Sequence, residues 1–167
     1  MNYSRGDTVV HPQHGTATVE GMVQRDLGEG PEDYLELYVE TRSLKIMVPA
    51  GAVQAAGIRD LSTKGEAGEL LAILEEPSEV PEAWAERNPS TVARLKSRDL
   101  DQISMVVRDL SRHQRRLGKP LSLRERDVFE SCLDTVAREL SLVLEMSKQD
   151  TKALIMDKCL NEKDSSG

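Results

Sequence analysis

The sequence predicts an α+β chain of two domains, a small N-terminal β-barrel followed by a C-terminal all-α helical bundle. Two changes of pattern and one feature of composition predict it. Up to about residue 62, short β-rich runs alternate with turn residues; beyond that point the apolar residues recur at helical spacing. Hydrophobic residues make up 38% of the 167 positions but aromatics only 3%. The interior must therefore be packed with Leu, Val, Ile, Met and Ala, and the 31% of charged residues suits a soluble, helix-rich protein.

The strands come first. Thr8-Val9-Val10, Ala17-Thr18-Val19, Tyr34 to Val39 and Leu44 to Val48 are rich in β-branched and aromatic residues. Pro12 and Gly15, then Gly28, Gly30 and Pro31, then Thr41-Arg42-Ser43 separate them as turns. Tyr34, Leu35, Leu37 and Val39 alternate in part, as a strand with one buried face does. Four or five strands in so short a stretch predict a strongly bent barrel of the SH3 or Tudor kind.

The helices follow. Ser62 to Gly68 contains two glycines and reads as a linker, which sets the domains at 1–62 and 68–162. Leu70, Leu71 and Leu74 share one face of a short helix ending before Pro77. Asn88-Pro89 reads as a helix start, with Asn88 as cap and Pro89 in the first helical position. Asp99 with Gln102 opens a helix that carries Leu100, Ile103, Val107 and Leu110 and ends near Gly118. Ser122 with Glu125 is a second capping box. It opens a long helix striped by Val128, Phe129, Cys132, Leu133, Val136, Ala137, Leu140 and Leu144. Asp150 is the expected cap of a last helix containing Leu154, Ile155 and Leu160, and the tail from Glu162 is polar.

The net charge of −7 conceals an asymmetry. Residues 1–82 hold six basic against fifteen acidic side chains, residues 83–126 eleven against five, and residues 127–167 five against nine. Phosphate contacts supply most non-specific DNA affinity, so an acidic protein is a poor free-standing DNA binder. A basic middle segment can still touch nucleic acid when something else brings it there. No apolar run approaches the roughly 18 residues of a membrane span, and Met1 to Asp7 has no apolar signal core. The expectation is a cytoplasmic protein with no membrane partner. Cys132 and Cys159 read as two small reduced core residues.

Chemistry-bearing motifs are sparse. His11 and His14 have a spacing open to metal binding, but Pro12 and Gly15 make the segment a turn and no third ligand is evident. Gly28-Glu29-Gly30-Pro31 is acidic and would repel phosphate, and no nucleophile motif is present. The sequence therefore predicts no enzyme, no cofactor, no metal and no small-molecule substrate. Trp84, the single tryptophan, stands at the start of the basic segment among Glu, Ala and Arg. An exposed aromatic beside arginines can stack on bases or wedge between them, whereas a lone Trp elsewhere is commonly a core anchor.

The N-terminal run Gly6-Asp7-Thr8-Val9-Val10-His11-Pro12-Gln13-His14-Gly15, with Tyr34-Leu35, Val48-Pro49 and Gly57-Ile58-Arg59, resembles the RNA polymerase-interacting domain of CarD proteins. Transcription-repair coupling factors share that domain, but their helicase motifs are absent from this sequence. Val106-Val107-Arg108-Asp109-Leu110 and Trp84 resemble the helical half of actinobacterial CarD, so the similarity spans nearly the whole chain. The resemblance implies a Tudor-like domain that pairs an edge strand with a strand of the RNA polymerase β subunit. It implies polymerase-binding roles for Arg25 and, with Lys45 beside it, for Met47, which stands where relatives often have a second arginine. It implies that Trp84 wedges into the minor groove at the upstream fork of melted promoter DNA, with Arg87 and Arg126 on phosphates. Glu86 and Pro89 fall where relatives tend to be basic. The function so implied is a transcription regulator that stabilises the open promoter complex. The competing reading is a stand-alone protein-interaction adaptor with no DNA contact, which a buried Trp84 would favour.

Overall fold

In a computed structural model, residues 2–162 are described. The chain divides into two compact units between Leu61 and Ser62. The first holds five strands: β1 (Thr8–His11), β2 (Gly15–Asp26), β3 (Pro31–Val39), β4 (Leu44–Pro49) and β5 (Arg59–Asp60). All neighbours pair antiparallel, in the order β4-β3-β2-β1-β5. A four-strand meander whose fifth strand returns to the first is the connectivity of a small SH3- or Tudor-type barrel. Alternation buries one face: Val9, Ala17, Val19, Leu35, Leu37, Val39, Val48 and Ile58 form the core, with Tyr3, Ile46 and Val53 against it. Each buried Val, Leu or Ile of this core contributes on the order of 1.5–3 kcal/mol by leaving water.

β2 runs well beyond the Ala17-Thr18-Val19 expected for it. A bulge between Val19 and Gly21 shifts its register against β3, and Gly21 holds the positive φ of 149° there. Past the bulge the residues are largely exposed, so Gly21 to Asp26 show no apolar alternation and cross-strand hydrogen bonds alone mark the strand. Both histidines of the His11–His14 turn make side-chain contacts that hold it. His11 Nδ1 accepts the Gln13 N–H at 3.1 Å, and Arg42 Nη1 lies 3.3 Å from His14 Nδ1. Gly57, at φ +81°, packs against this turn; a Cβ there would meet the Pro12 ring at 3.2 Å.

Among the described residues the second unit holds five helices: α1 (Lys64–Glu75), α2 (Trp84–Ser97), α3 (Leu100–Leu117), α4 (Leu123–Leu144) and α5 (Lys148–Leu160). None is long and apolar enough to cross a membrane. α3 is central, packing against the other four. Val106, Val107, Leu110, Val136, Ala137, Leu140 and Ile155 are almost fully buried among them. Cys132 and Cys159 are free thiols in this core, both pushed up to about 11 by burial.

Three helix starts differ from the sequence expectation. The presumed linker is helix: Thr63 accepts the Glu66 N–H and Glu66 accepts the Thr63 N–H, a complete capping box that opens α1 ahead of both glycines. α2 begins at Trp84, not after Asn88, so Pro89 sits inside the helix. α5 is capped by Ser147, whose hydroxyl accepts the Asp150 N–H, so Asp150 is a first-turn acid instead of the cap. Asp99 caps α3 as expected, but onto the Asp101 N–H and without a reciprocal partner from Gln102.

Candidate functional site: one face in each unit

In the first unit, β4 has a single neighbour, β3, among the described residues, so its outer edge is unpaired there. Lys45 lies opposite Tyr38 and Met47 opposite Glu36. Arg25 lies on β2 opposite Glu32 of β3. Glu32, Glu36 and Tyr38 alternate with the buried Leu35, Leu37 and Val39, which puts Arg25, Lys45 and Met47 on the same outward face of the sheet. Four residues of β3 separate the levels of Arg25 and Met47, about 13 Å of strand. Met47 is 39% exposed, and Lys45 reaches Glu20 at 3.2 Å. The edge thus offers unpaired backbone groups beside exposed Leu44 and Met47.

In the second unit, Trp84 is the first residue of α2 and is 43% exposed. Arg87, one turn later, is only 7% exposed. Its Nη2 and Nε donate to the two carboxylate oxygens of Glu125 at 2.6 and 3.2 Å, and its Nη1 donates to the carbonyls of Pro81, at 2.9 Å, and Glu82. This corrects the expectation that Arg87 faces phosphate: the guanidinium is spent inside the protein. Glu125 is the third residue of α4, whose cap Ser122 accepts the Glu125 N–H at 3.3 Å. The box expected there forms only in one direction, because the Glu125 carboxylate is turned to Arg87. The fork-on-carboxylate pair joins the start of α2 to the start of α4. Arg124 and Arg126 flank Glu125 and are both exposed. Leu123, the first residue of α4, is 77% exposed. Beneath them His113 of α3 is buried; desolvation first, then the Arg87 guanidinium, hold its pKa below the ordinary value.

Most of the remaining basic segment serves the bundle. Arg108 donates to the carbonyl of Ile73, which also accepts the Glu76 N–H, and Arg112 donates to those of Leu74 and Glu76, where α1 ends. Arg112 and Arg115 also donate to Cys159 and Leu160 at the end of α5. Cations at helix C-termini also complement the helix dipole. Arg94 pairs with Asp109 at 2.6 Å. Sequence reasoning missed both this internal use and the exposed Arg124. The only available signal was that Arg108 and Arg112 follow the apolar stripe of α3 at fourfold spacing.

Two family models cover most of the chain. The CarD-like/TRCF RID domain matches residues 3–62, and the CarD C-terminal domain matches residues 69–156. The chain belongs to the CarD family. Membership supports a role in transcription regulation through RNA polymerase binding. Among relatives of this CarD-family chain is YdeB of Bacillus subtilis (strain 168), named for a proposed role as a transcription factor. It is 20% identical over 149 residues, covering 89% of this chain and 96% of YdeB. Among solved structures, the solution structure of the 72-residue N-terminal domain of Myxococcus xanthus CarD is 27% identical. That match covers 35% of this chain and 79% of the other, with a TM-score of 0.31.

Proposed function

We propose that this CarD-family protein docks on the RNA polymerase β subunit through the outer edge of β4, with Arg25, Lys45 and Met47 as side-chain contacts, and stabilises the open promoter complex through Trp84. Backbone pairing along a free edge supplies affinity, and the flanking side chains supply specificity. Trp84 wedges into the minor groove at the upstream fork, and unstacked bases there meet its indole. Arg126, joined by Arg124, holds phosphates; the phosphate role first expected of Arg87 passes to this pair.

The observation that carries the reading is an exposed tryptophan at a helix start, tied by a buried ion pair to a second helix start with two exposed arginines. Trp84 is partly exposed, so the core position that would have favoured the adaptor reading is absent. The test is Trp84→Ala. If base stacking is worth about 1–3 kcal/mol, the open-complex lifetime falls roughly 5–100-fold at saturating protein, while β-subunit affinity stays unchanged. Equal lifetimes with both proteins would remove the wedge from the mechanism.

A further inference from the structure

The first turn of α2 has little of its own to hold it. Its N-cap, Ala83, offers no side-chain acceptor to the free N–H groups. Five residues after Trp84, Pro89 lacks the N–H that would otherwise bond the carbonyl of Ala85. Such a helix start frays unless tertiary contacts fix it. Yet the residue that begins it, Trp84, must keep a defined direction if it is to enter a groove.

Arg87 supplies the missing restraint. From one planar group it grips three pieces of chain: the carbonyls of Pro81 and Glu82 just before Trp84, its own place in the first turns of α2, and Glu125 at the start of α4. Bracketing Trp84 on both sides in sequence, these contacts fix the backbone on which the indole stands. The carboxylate side is almost as sheltered as the arginine, at 13% and 8% side-chain exposure, so the pair is only weakly screened by solvent. Arg116 Nη1, 3.5 Å from the carbonyl of Val80, holds the same stretch from α3.

We infer that Arg87 is a positioning residue for Trp84, acting with Glu125 as a clamp that presents the indole to DNA without touching DNA. This rests on the reading of Trp84 as the wedge. A lysine cannot replace the clamp, because a single ammonium lacks the planar fork that serves a carboxylate and two carbonyls together. It could replace a phosphate contact. Glu125→Gln removes the charge but keeps the shape and offers one hydrogen-bond acceptor, so it guards against simple unfolding of the arginine variants.

Because Trp84 is the single tryptophan, its fluorescence in the full-length protein reports its environment directly. Arg87→Gln and Arg87→Lys are expected to raise acrylamide quenching and lower the anisotropy of Trp84, with Glu125→Gln intermediate and far-UV circular dichroism unchanged in all three. On promoters, Arg87→Lys is expected to shorten the open-complex lifetime about tenfold, the scale of a lost charge-assisted contact. In a Trp84→Ala background the same change is expected to add nothing, since a group that acts only through Trp84 has nothing left to act on. A wild-type lifetime with Arg87→Lys, or a loss that adds to that of Trp84→Ala, would overturn the clamp, and so would unchanged quenching in both Arg87→Gln and Glu125→Gln. A null effect of Trp84→Ala alone would instead strike the wedge reading, and the fluorescence arm would still test the clamp.

Discussion

His113 shows how one side chain can link the candidate site to solution conditions. It is 3% exposed, and its Nδ1 is a buried polar atom with no hydrogen-bond partner among the described residues. Burial comes first among the causes that lower its pKa; Arg87 and Arg116 lower it further, while Glu125 and Glu82 oppose them. The folded state therefore prefers the neutral ring. As pH falls below the ordinary value of 6.5, the unfolded chain takes up a proton before the folded one does, so stability declines until the depressed folded value is passed. Melting temperature is expected to drop as pH falls below the ordinary value of 6.5, and His113→Gln to lessen that drop by removing the buried titrating group. The same acid slope in the variant would show that other groups carry it. Nothing in the sequence singled out this histidine, because its importance comes from α2 and α4 folding over it.

At the scale of elements, strands and helices were legible where burial produced a period, and obscure where local chemistry replaced it. β3, β4 and the α3 and α4 stripes follow alternation or helical spacing, and each was expected close to its place. The outer half of β2 buries little, so its only mark is hydrogen bonding to β3. The start of α1 was hidden by Gly65 and Gly68, which weigh against a helix interior, while the Thr63–Glu66 box that overrides them was overlooked. Thr63→Ala is therefore expected to destabilise the helical unit by about 1 kcal/mol in chemical denaturation, the usual loss of an N-cap; no change would mean that α1 is held by packing alone. The start of α2 was misread because Asn88-Pro89 is a sound local signal that a tertiary pair, Arg87 with Glu125, displaces. In the sheet, Arg25 stands opposite Glu32, so Arg25→Ala is a cleaner probe of polymerase docking than a charge reversal, which would set two carboxylates across the strands. It is expected to weaken β-subunit binding by roughly 1–3 kcal/mol in a calorimetric titration, and undiminished affinity would move the contact elsewhere on the edge.

For the whole molecule the question is how an acidic chain would serve DNA in the proposed role. Of the eleven basic residues between 83 and 126, Arg87, Arg94, Arg108 and Arg112 are committed to carboxylates or helix-end carbonyls. Arg115 and Arg116 each reach a backbone carbonyl as well, though both are exposed. The basic character of the segment thus overstates the charge it can offer to phosphate, and the rest of the chain is acidic. Free in solution, the protein is expected to bind duplex DNA at the weak end of the roughly 10⁻⁴–10⁻⁶ M range of non-specific binding. Because both units share one chain, docking of the first on polymerase would raise the local concentration of the second near the fork to the order of millimolar, enough for a weak contact to be occupied. Each phosphate neutralised contributes about −0.9 to the slope of log affinity against log salt. Replacing Arg124 and Arg126 together by Gln should then flatten the salt dependence of open-complex lifetime by nearly two units of slope and shorten the lifetime at low salt. β-subunit affinity should not change, since both residues lie in the helical unit. The measurement is a salt titration of promoter lifetime with wild-type and doubly substituted protein, run beside a gel-shift assay without polymerase. An unchanged slope would exclude these two arginines from the phosphate contact, and tight sequence-specific binding by the isolated protein would make it a conventional DNA-binding factor that needs no polymerase to bring it there.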